Sequence, residues 1–167
     1  FRRVLFRSDF GVEVYGKEKR IVSAPENIVF GDLTRQGMPF YGGNLTYRCS
    51  FFAPGGHIRL KAQYFSGPLL GVSVDHEHVG SAAFAPYEVD LGDLEEGEHL
   101  LEITAFGSRY HTFGQLHNCD KNYSWFASCS WRTKNDRWSD EYMLKELGIL
   151  VTPELLYEEP FPNAERG

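Results

Sequence analysis

Asp75-His76-Glu77-His78 sets two imidazoles and two carboxylates in four consecutive positions. Side chains alternate along an extended strand, so His76 and His78 would share one face and offer two nitrogen ligands to one ion. A metal site needs further ligands, and no third is identifiable from spacing. The plainer reading of the same tetrapeptide is the charged tip of a hairpin. Two acid pairs point to another chemistry. Glycoside hydrolysis uses two carboxyl groups ~5–10 Å apart, one of them held protonated. Asp136 with Asp140, and Glu95 with Glu96, are the candidate pairs. Glu95 and Glu96 sit among turn residues and read as solvated surface, whereas Asp136 and Asp140 flank Trp138. No G-x-S-x-G elbow accompanies the histidines. Gly42-Gly43 follows no strand and opens no helix, so it lacks the setting of a phosphate cradle.

The richest constellation runs from Arg109 to Trp138. Its rings are Tyr110, His111, His117, Tyr123, Trp125, Trp131 and Trp138. Between them lie Arg109, Asn118, Asn122, Arg132 and Asp136. Sugars present apolar C–H faces beside hydroxyls, so their sites combine aromatic platforms with planar hydrogen-bonding groups. Trp, Tyr and Arg are equally the anchors of protein interfaces. Three readings stay open: a surface packed on a neighbouring domain, direct sugar contact, and plain local core.

The elements that must position these residues read as strands. Val12 and Val14 alternate around Glu13 in Asp9–Gly16, and Ile21-Val22 and Ile28-Val29-Phe30 are further short candidates. Residues 31–44 form a Gly-rich loop. Leu45, Tyr47, Cys49 and Phe51 alternate with Thr46, Arg48 and Ser50; Pro54-Gly55-Gly56 then predicts a tight turn, and Ile58, Leu60, Ala62 and Tyr64 the returning strand. Leu70, Val72 and Val74 mark another strand. Tyr87, Val89 and Leu91 precede the charged turn Asp93-Leu94-Glu95-Glu96-Gly97, after which Leu101, Ile103 and Ala105 face the same way. Tyr142–Val151 is the last strand region, with Gly148 a bulge and Met143–Leu147 alternatively one helical turn. Many short strands and no amphipathic helix predict an all-β antiparallel sandwich or barrel.

Length and composition agree. The chain has 167 residues, 42% hydrophobic and 15% aromatic, enough for one domain with its own core. The formal charge of −6 argues against nucleic acid, whose phosphates call for a basic patch. No apolar run approaches the ~20 residues that span a bilayer, so no membrane partner is expected. Phe1-Arg2-Arg3-Val4-Leu5-Phe6-Arg7-Ser8 is what a common sequencing-library adapter encodes in one frame, and such a scar stands outside fold reasoning. Without its three Arg the charge moves from −6 to −9, and the chain reads as a metagenomic fragment of something longer. Cys49 lies among apolar neighbours as a small core residue, while Cys119 and Cys129 bracket a short loop and could pair if the protein is exported.

Four stretches together resemble the non-catalytic β-sandwich domains of bacterial glycoside hydrolases, similar to the family 2 sugar-binding domain. They are Gln36-Gly37-Met38-Pro39-Phe40-Tyr41-Gly42-Gly43-Asn44-Leu45-Thr46-Tyr47; Val72-Ser73-Val74-Asp75 with Val79-Gly80, where His76 replaces the usual Gly; Tyr87 to Ile103 with its Val-Asp-Leu and Gly-x-His cores; and Arg109 through Asn118. The resemblance implies a jelly roll of the galactose-binding-like kind over residues 31–152. It would be preceded at 9–30 by the end of another β unit or the first strands, and followed at 153–167 by a tail or linker. It implies no catalytic residue and no cofactor here, the acid and base lying on a separate domain of the parent chain. The implied partners are that catalytic domain and oligosaccharide. Arg109, Tyr110, His111, His117, Trp125, Trp131, Arg132 and Trp138 become the carbohydrate or interface residues. The alternatives are an autonomous carbohydrate-binding module with Trp125, Trp131 or Trp138 as platforms, and a small metal-dependent enzyme built on Asp75–His78.

Overall fold

A computed structural model describes residues 10–120, 127–131 and 134–157. Nearly all regular structure is antiparallel β. β1 (Phe10–Tyr15) and β2 (Glu18–Ser23) form a hairpin of their own. β3 (Leu45–Lys61), β5 (Leu70–Val74), β6 (Glu77–Ala82), β7 (Glu88–Ala105) and β9 (Glu154–Tyr157) form a five-stranded sheet in the order β6-β5-β7-β3-β9. β4 (Phe65–Ser66) pairs with β8 (Gly148–Ile149) in a second, small sheet.

The frame is the ribbon of β3 and β7, paired continuously from Leu45↔Ala105 to Lys61↔Glu88. This overturns two turns expected from sequence. Pro54-Gly55-Gly56 does not reverse the chain, and Asp93–Gly97 does not separate two strands. The two stretches lie opposite each other in the ribbon, with Pro54 against Glu96 and Gly56 against Leu94. Gly55 and Gly56, at φ 86° and 106°, turn β3 over instead of back. Before them the buried residues are Tyr47 and Ala53; after them, Ile58 and Leu60. The inward face thus changes from odd to even positions at a backbone conformation only glycine adopts cheaply. Leu91 is an extra residue in β7, between Ile58↔Gly92 and Arg59↔Asp90.

Both halves of the ribbon close on one core. Leu70, Val72, Ile103 and Ile58 are completely buried within it, and Val89, Leu91 and Leu101 almost so. Burying such a side chain contributes ~1.5–3 kcal/mol, so this cluster holds the sandwich together. Its cover opposite the large sheet is less regular. Gly31 and Leu33 donate N–H groups to the carbonyls of Ile149 and Leu147 (2.7 and 2.9 Å), and Phe30 stacks on Tyr47 with centroids 5.0 Å apart. Asp32 Oδ1 accepts from Thr34 N and Leu147 N (3.0 and 3.1 Å), locking this segment beside β8.

Other expectations need adjusting. Ile28–Phe30 forms no strand, and of Tyr142–Val151 only Gly148–Ile149 is β; Met143–Leu147 forms no helical turn. Glu154–Tyr157, expected to open the tail, is instead β9, antiparallel to Ile58–Lys61. The β1–β2 hairpin is tied to the 31–44 loop through Val12 N–H to Gly37 C=O at 2.8 Å.

Candidate functional site

β7 delivers the chain to the aromatic region. At its end Gly107 passes so close to Gly43 that a Cβ would collide with the Gly43 carbonyl. Gly107 N–H donates to Asn44 Oδ1 at 3.3 Å. α1 (Tyr110–Phe113), a single turn, follows, and the Arg109 carbonyl caps it by accepting from Thr112 and Phe113. Segment 116–119 then runs against segment 137–139. Cys119 N–H bonds Arg137 C=O, Ser139 N–H bonds His117 C=O, and Asn118 and Trp138 form a bridge.

This pairing builds a stack of rings. His117 lies on Trp138 with centroids 4.5 Å apart at 21°, and against Tyr142 at 4.6 Å. Tyr142 meets Phe40 edge-on at 4.9 Å and carries Lys19 Nζ 4.8 Å above its ring. His117 Nδ1 donates to Ser139 O at 2.9 Å, which in the neutral ring leaves Nε2 as the acceptor. Trp138 Nε1 donates to Asp140 Oδ1 at 3.2 Å, and the indole stays 43% exposed. Trp131, 51% exposed, donates Nε1 to Phe113 O at 3.1 Å; the Phe113 ring is itself exposed. Asn118 joins the two Trp-bearing segments, its backbone bridged to Trp138 and its Nδ2 3.5 Å from Ser130 O.

The sequence-derived residues therefore divide. His117, Trp131 and Trp138 come together around Asn118. His111 does not reach the surface: it is 3% exposed, and its Nε2 accepts from Lys145 N at 3.0 Å. That bond puts the ring hydrogen on Nδ1, which is buried with no hydrogen-bond partner. Burial pushes the His111 pKa down, so the neutral ring is the native form. Tyr110 is half-buried beneath Lys145 Nζ, 4.4 Å from its centroid, and Arg109 is exposed. Trp125 and Arg132 lie outside the described residues. Sequence spacing missed Tyr142 and Phe113. Tyr142 sat in an expected strand, and only its approach to His117 reveals it.

The other candidates are placed plainly. Asp75 and His76, at φ 48° and 71°, form a two-residue turn between β5 and β6, and His78 follows on β6. Positive φ at both central residues is the hairpin geometry that strand twist favours. Asp75 accepts from Leu100 N (2.8 Å) and from His99 Nδ1 (2.7 Å), while His76 Nδ1 lies 3.0 Å from Glu102 Oε2. The tip is thus a tie to β7, and among the described residues no three His, Cys, Asp or Glu converge on a metal position. Hydrogen bonds from Leu100 N–H and His99 hold the Asp75 pKa below the usual range, and Asp75 in turn raises that of His99. Glu95 and Glu96 are exposed on β7, and Asp136 and Asp140 are exposed beside Trp138. Cys119 is a free thiol 3.2 Å from Asp136 O; the Cys129 side chain lies outside the described residues.

No family model and no curated protein matches the chain. Among solved structures it is similar to part of a rhamnosidase from Novosphingobium sp. PP1Y, with 19% identity and a TM-score of 0.52 over 87% of this chain and 14% of that one. Two crystal structures of a GH2 beta-galacturonidase from Eisenbergiella tayi, bound to galacturonate and to glycerol, are each 30% identical with a TM-score of 0.40. They cover 64% and 69% of this chain and 18% and 20% of theirs. The chain thus spans a fifth or less of the proteins it resembles, and the first of these likenesses is one of fold.

Proposed function

We propose that this chain is a non-catalytic accessory β-sandwich of a larger bacterial glycoside hydrolase, and that its aromatic face docks on the catalytic domain. The observation that carries the reading is the exposure of Phe113, Trp131 and Trp138 on one loop region, joined through Asn118 and hydrogen-bonded in place. Large rings held rigid yet left open are what an interface uses as anchors. The motifs around Gln36–Tyr47 and Arg109–Asn118, and the fold shared with a seventh of a rhamnosidase chain, support the choice of parent. Of the acids near the rings, Asp136 and Asp140 are both exposed and Asp140 accepts from Trp138 Nε1. Neither is the buried acid that glycoside hydrolysis holds protonated, which supports assigning that step to another domain.

A second reading, direct contact with carbohydrate, is favoured by one detail. Trp138 offers an exposed ring with the Asp140 carboxylate at its Nε1, and His117, stacked on one of its faces, has an Nε2 without a partner among the described residues. Titrating the chain with a panel of oligosaccharides, read by Trp fluorescence, separates the two. The interface reading expects no response across the panel, together with binding of a hydrophobic dye that falls when Phe113 and Trp131 are replaced by Ser. A saturable glycan response abolished by Trp131→Ala or Trp138→Ala would overturn it in favour of sugar binding. Absence of dye binding with no glycan response would defeat both.

A further inference from the structure

β3 is paired with β7 along its whole length, but among the described residues its other edge is covered at one end only. β9 sits on Ile58–Lys61, and among the described residues no strand pairs with Leu45–Phe52 on that side. The ladder tells which backbone groups face the gap. Asp75 N–H donates to Leu100 C=O, and Phe106 N–H to Leu69 C=O. Even-numbered residues in this part of β7 therefore bond toward β5, while Leu101, Ile103 and Ala105 bond toward β3. Their partners are Cys49, Tyr47 and Leu45. Antiparallel alternation then turns the N–H and C=O groups of Thr46, Arg48 and Ser50 outward. None of these groups has a hydrogen-bond partner among the described residues.

A cleft of about 480 Å³ lies along this edge, with Leu45–Cys49 as one wall and Pro25–Phe30 as the other. That volume is in the range of ligand-binding sites. We propose that the cleft is a strand-addition site, taking one extended segment of a second polypeptide between β3 and residues 25–30. The edge already receives a strand of this kind lower down, where the four residues of β9 dock on Ile58–Lys61. An incoming strand presents its side chains alternately to two sides. On the inner side it meets Ile28, Phe30 and Leu45, all half-buried and apolar. On the outer side it meets Arg48, whose side chain is 68% exposed and, among the described residues, is bonded through Nε to Glu102 at 2.7 Å. The occupant is thus a segment of alternating apolar and polar residues with a carboxylate beside Arg48. A second copy of this chain is disfavoured as donor, because its own β3 would arrive flanked by its own residues 25–30. Main-chain bonds supply the affinity in such pairing and alternate side chains the selectivity.

The test uses the whole chain and a capped eight-residue synthetic peptide of alternating valine and threonine, with one central glutamate in place of a threonine. Amide hydrogen exchange of Thr46, Arg48 and Ser50 is expected to slow at least tenfold at saturating peptide, while Tyr47 and Cys49, already bonded to β7, stay unchanged. Two peptides N-methylated on alternate amides, one on each side, should behave oppositely: one set of N-methyl groups abolishes the protection and the other leaves it. Replacing Arg48 by Glu should weaken the peptide about threefold, and exchanging the peptide glutamate for lysine should restore it. No slowing at millimolar peptide, or equal loss with both methylation patterns, overturns the proposal. So does protection present without peptide. If that protection disappears when the chain is ended after Tyr157, the occupant is this chain's own C-terminal segment. If it grows with protein concentration, the occupant is a second copy.

Discussion

Replacing Gly56 by Ala isolates the backbone effect that turns β3 over. A Cβ at this position meets nothing within 4 Å, so neither packing nor clash contributes. What remains is the φ of 106°, which L-residues rarely adopt. Holding an L-residue in a left-handed conformation costs about 1–2 kcal/mol. The substitution also restricts the unfolded chain, which offsets about 0.4–1 kcal/mol. The expected net loss is about 1 kcal/mol, equivalent to about 2–4 °C in melting temperature for a chain of this size. Urea unfolding followed by Trp fluorescence should show a lower midpoint with an unchanged slope, because the surface exposed on unfolding is the same. Ser50→Ala, an exposed position on the same strand, serves as the control and should stay within about 0.5 kcal/mol. A Gly56→Ala midpoint equal to or above the parent's would refute the reasoning. The entropy gain would then stand alone, and the exchange of faces between Ala53 and Ile58 would need another cause.

Ile103→Ala, at a fully buried position in the middle of the core, should destabilise by about 2–5 kcal/mol in the same assay, whereas a loss below 1 kcal/mol would mean that β5 and β7 are not packed on this core. Two histidines should give stability opposite dependences on pH. His111 is neutral in the fold with its pKa below the ordinary 6.5, so the unfolded chain takes up a proton first and stability falls as pH drops below about 6.5. His99 has its pKa raised by Asp75, so its contribution is complete below about 6.5 and is lost as pH rises through the folded value. Urea midpoints between pH 5 and 8 should flatten on the acid side in His111→Asn and on the alkaline side in His99→Asn; unchanged profiles would contradict both assignments.

The alternation of Leu45–Phe51, Leu70–Val74, Tyr87–Leu91 and Leu101–Ala105 was enough to announce strands and an all-β chain, since side-chain period is a local property of extended backbone. Which residues would be buried followed almost as directly: Val72, Leu60, Val89, Leu91 and Ile103 are inside as their spacing requires. The error at Pro54–Gly56 and Asp93–Gly97 has a definite source. Proline, glycine and charge report that a chain departs from regular geometry, but a departure serves equally for a reversal or for a kink. Only the partner opposite distinguishes them, and each of these stretches has the other as its partner.

The aromatic region shows the same division more sharply. Residue types between Arg109 and Trp138 were sufficient to mark it as a surface of interest. They could not tell that His111 would be buried against Lys145 while His117 stacks on Trp138, nor that Tyr142 would join the stack. Those outcomes depend on segment 137–143 returning across segment 116–119, a contact between residues some twenty positions apart. Sequence alone determined the period, the composition and the places where regular backbone must yield. Tertiary structure decided which irregularities face one another, which rings stay open, and which part of β3 has no second strand beside it among the described residues, because each of these is settled by what lies across a gap in space and not by what comes next along the chain.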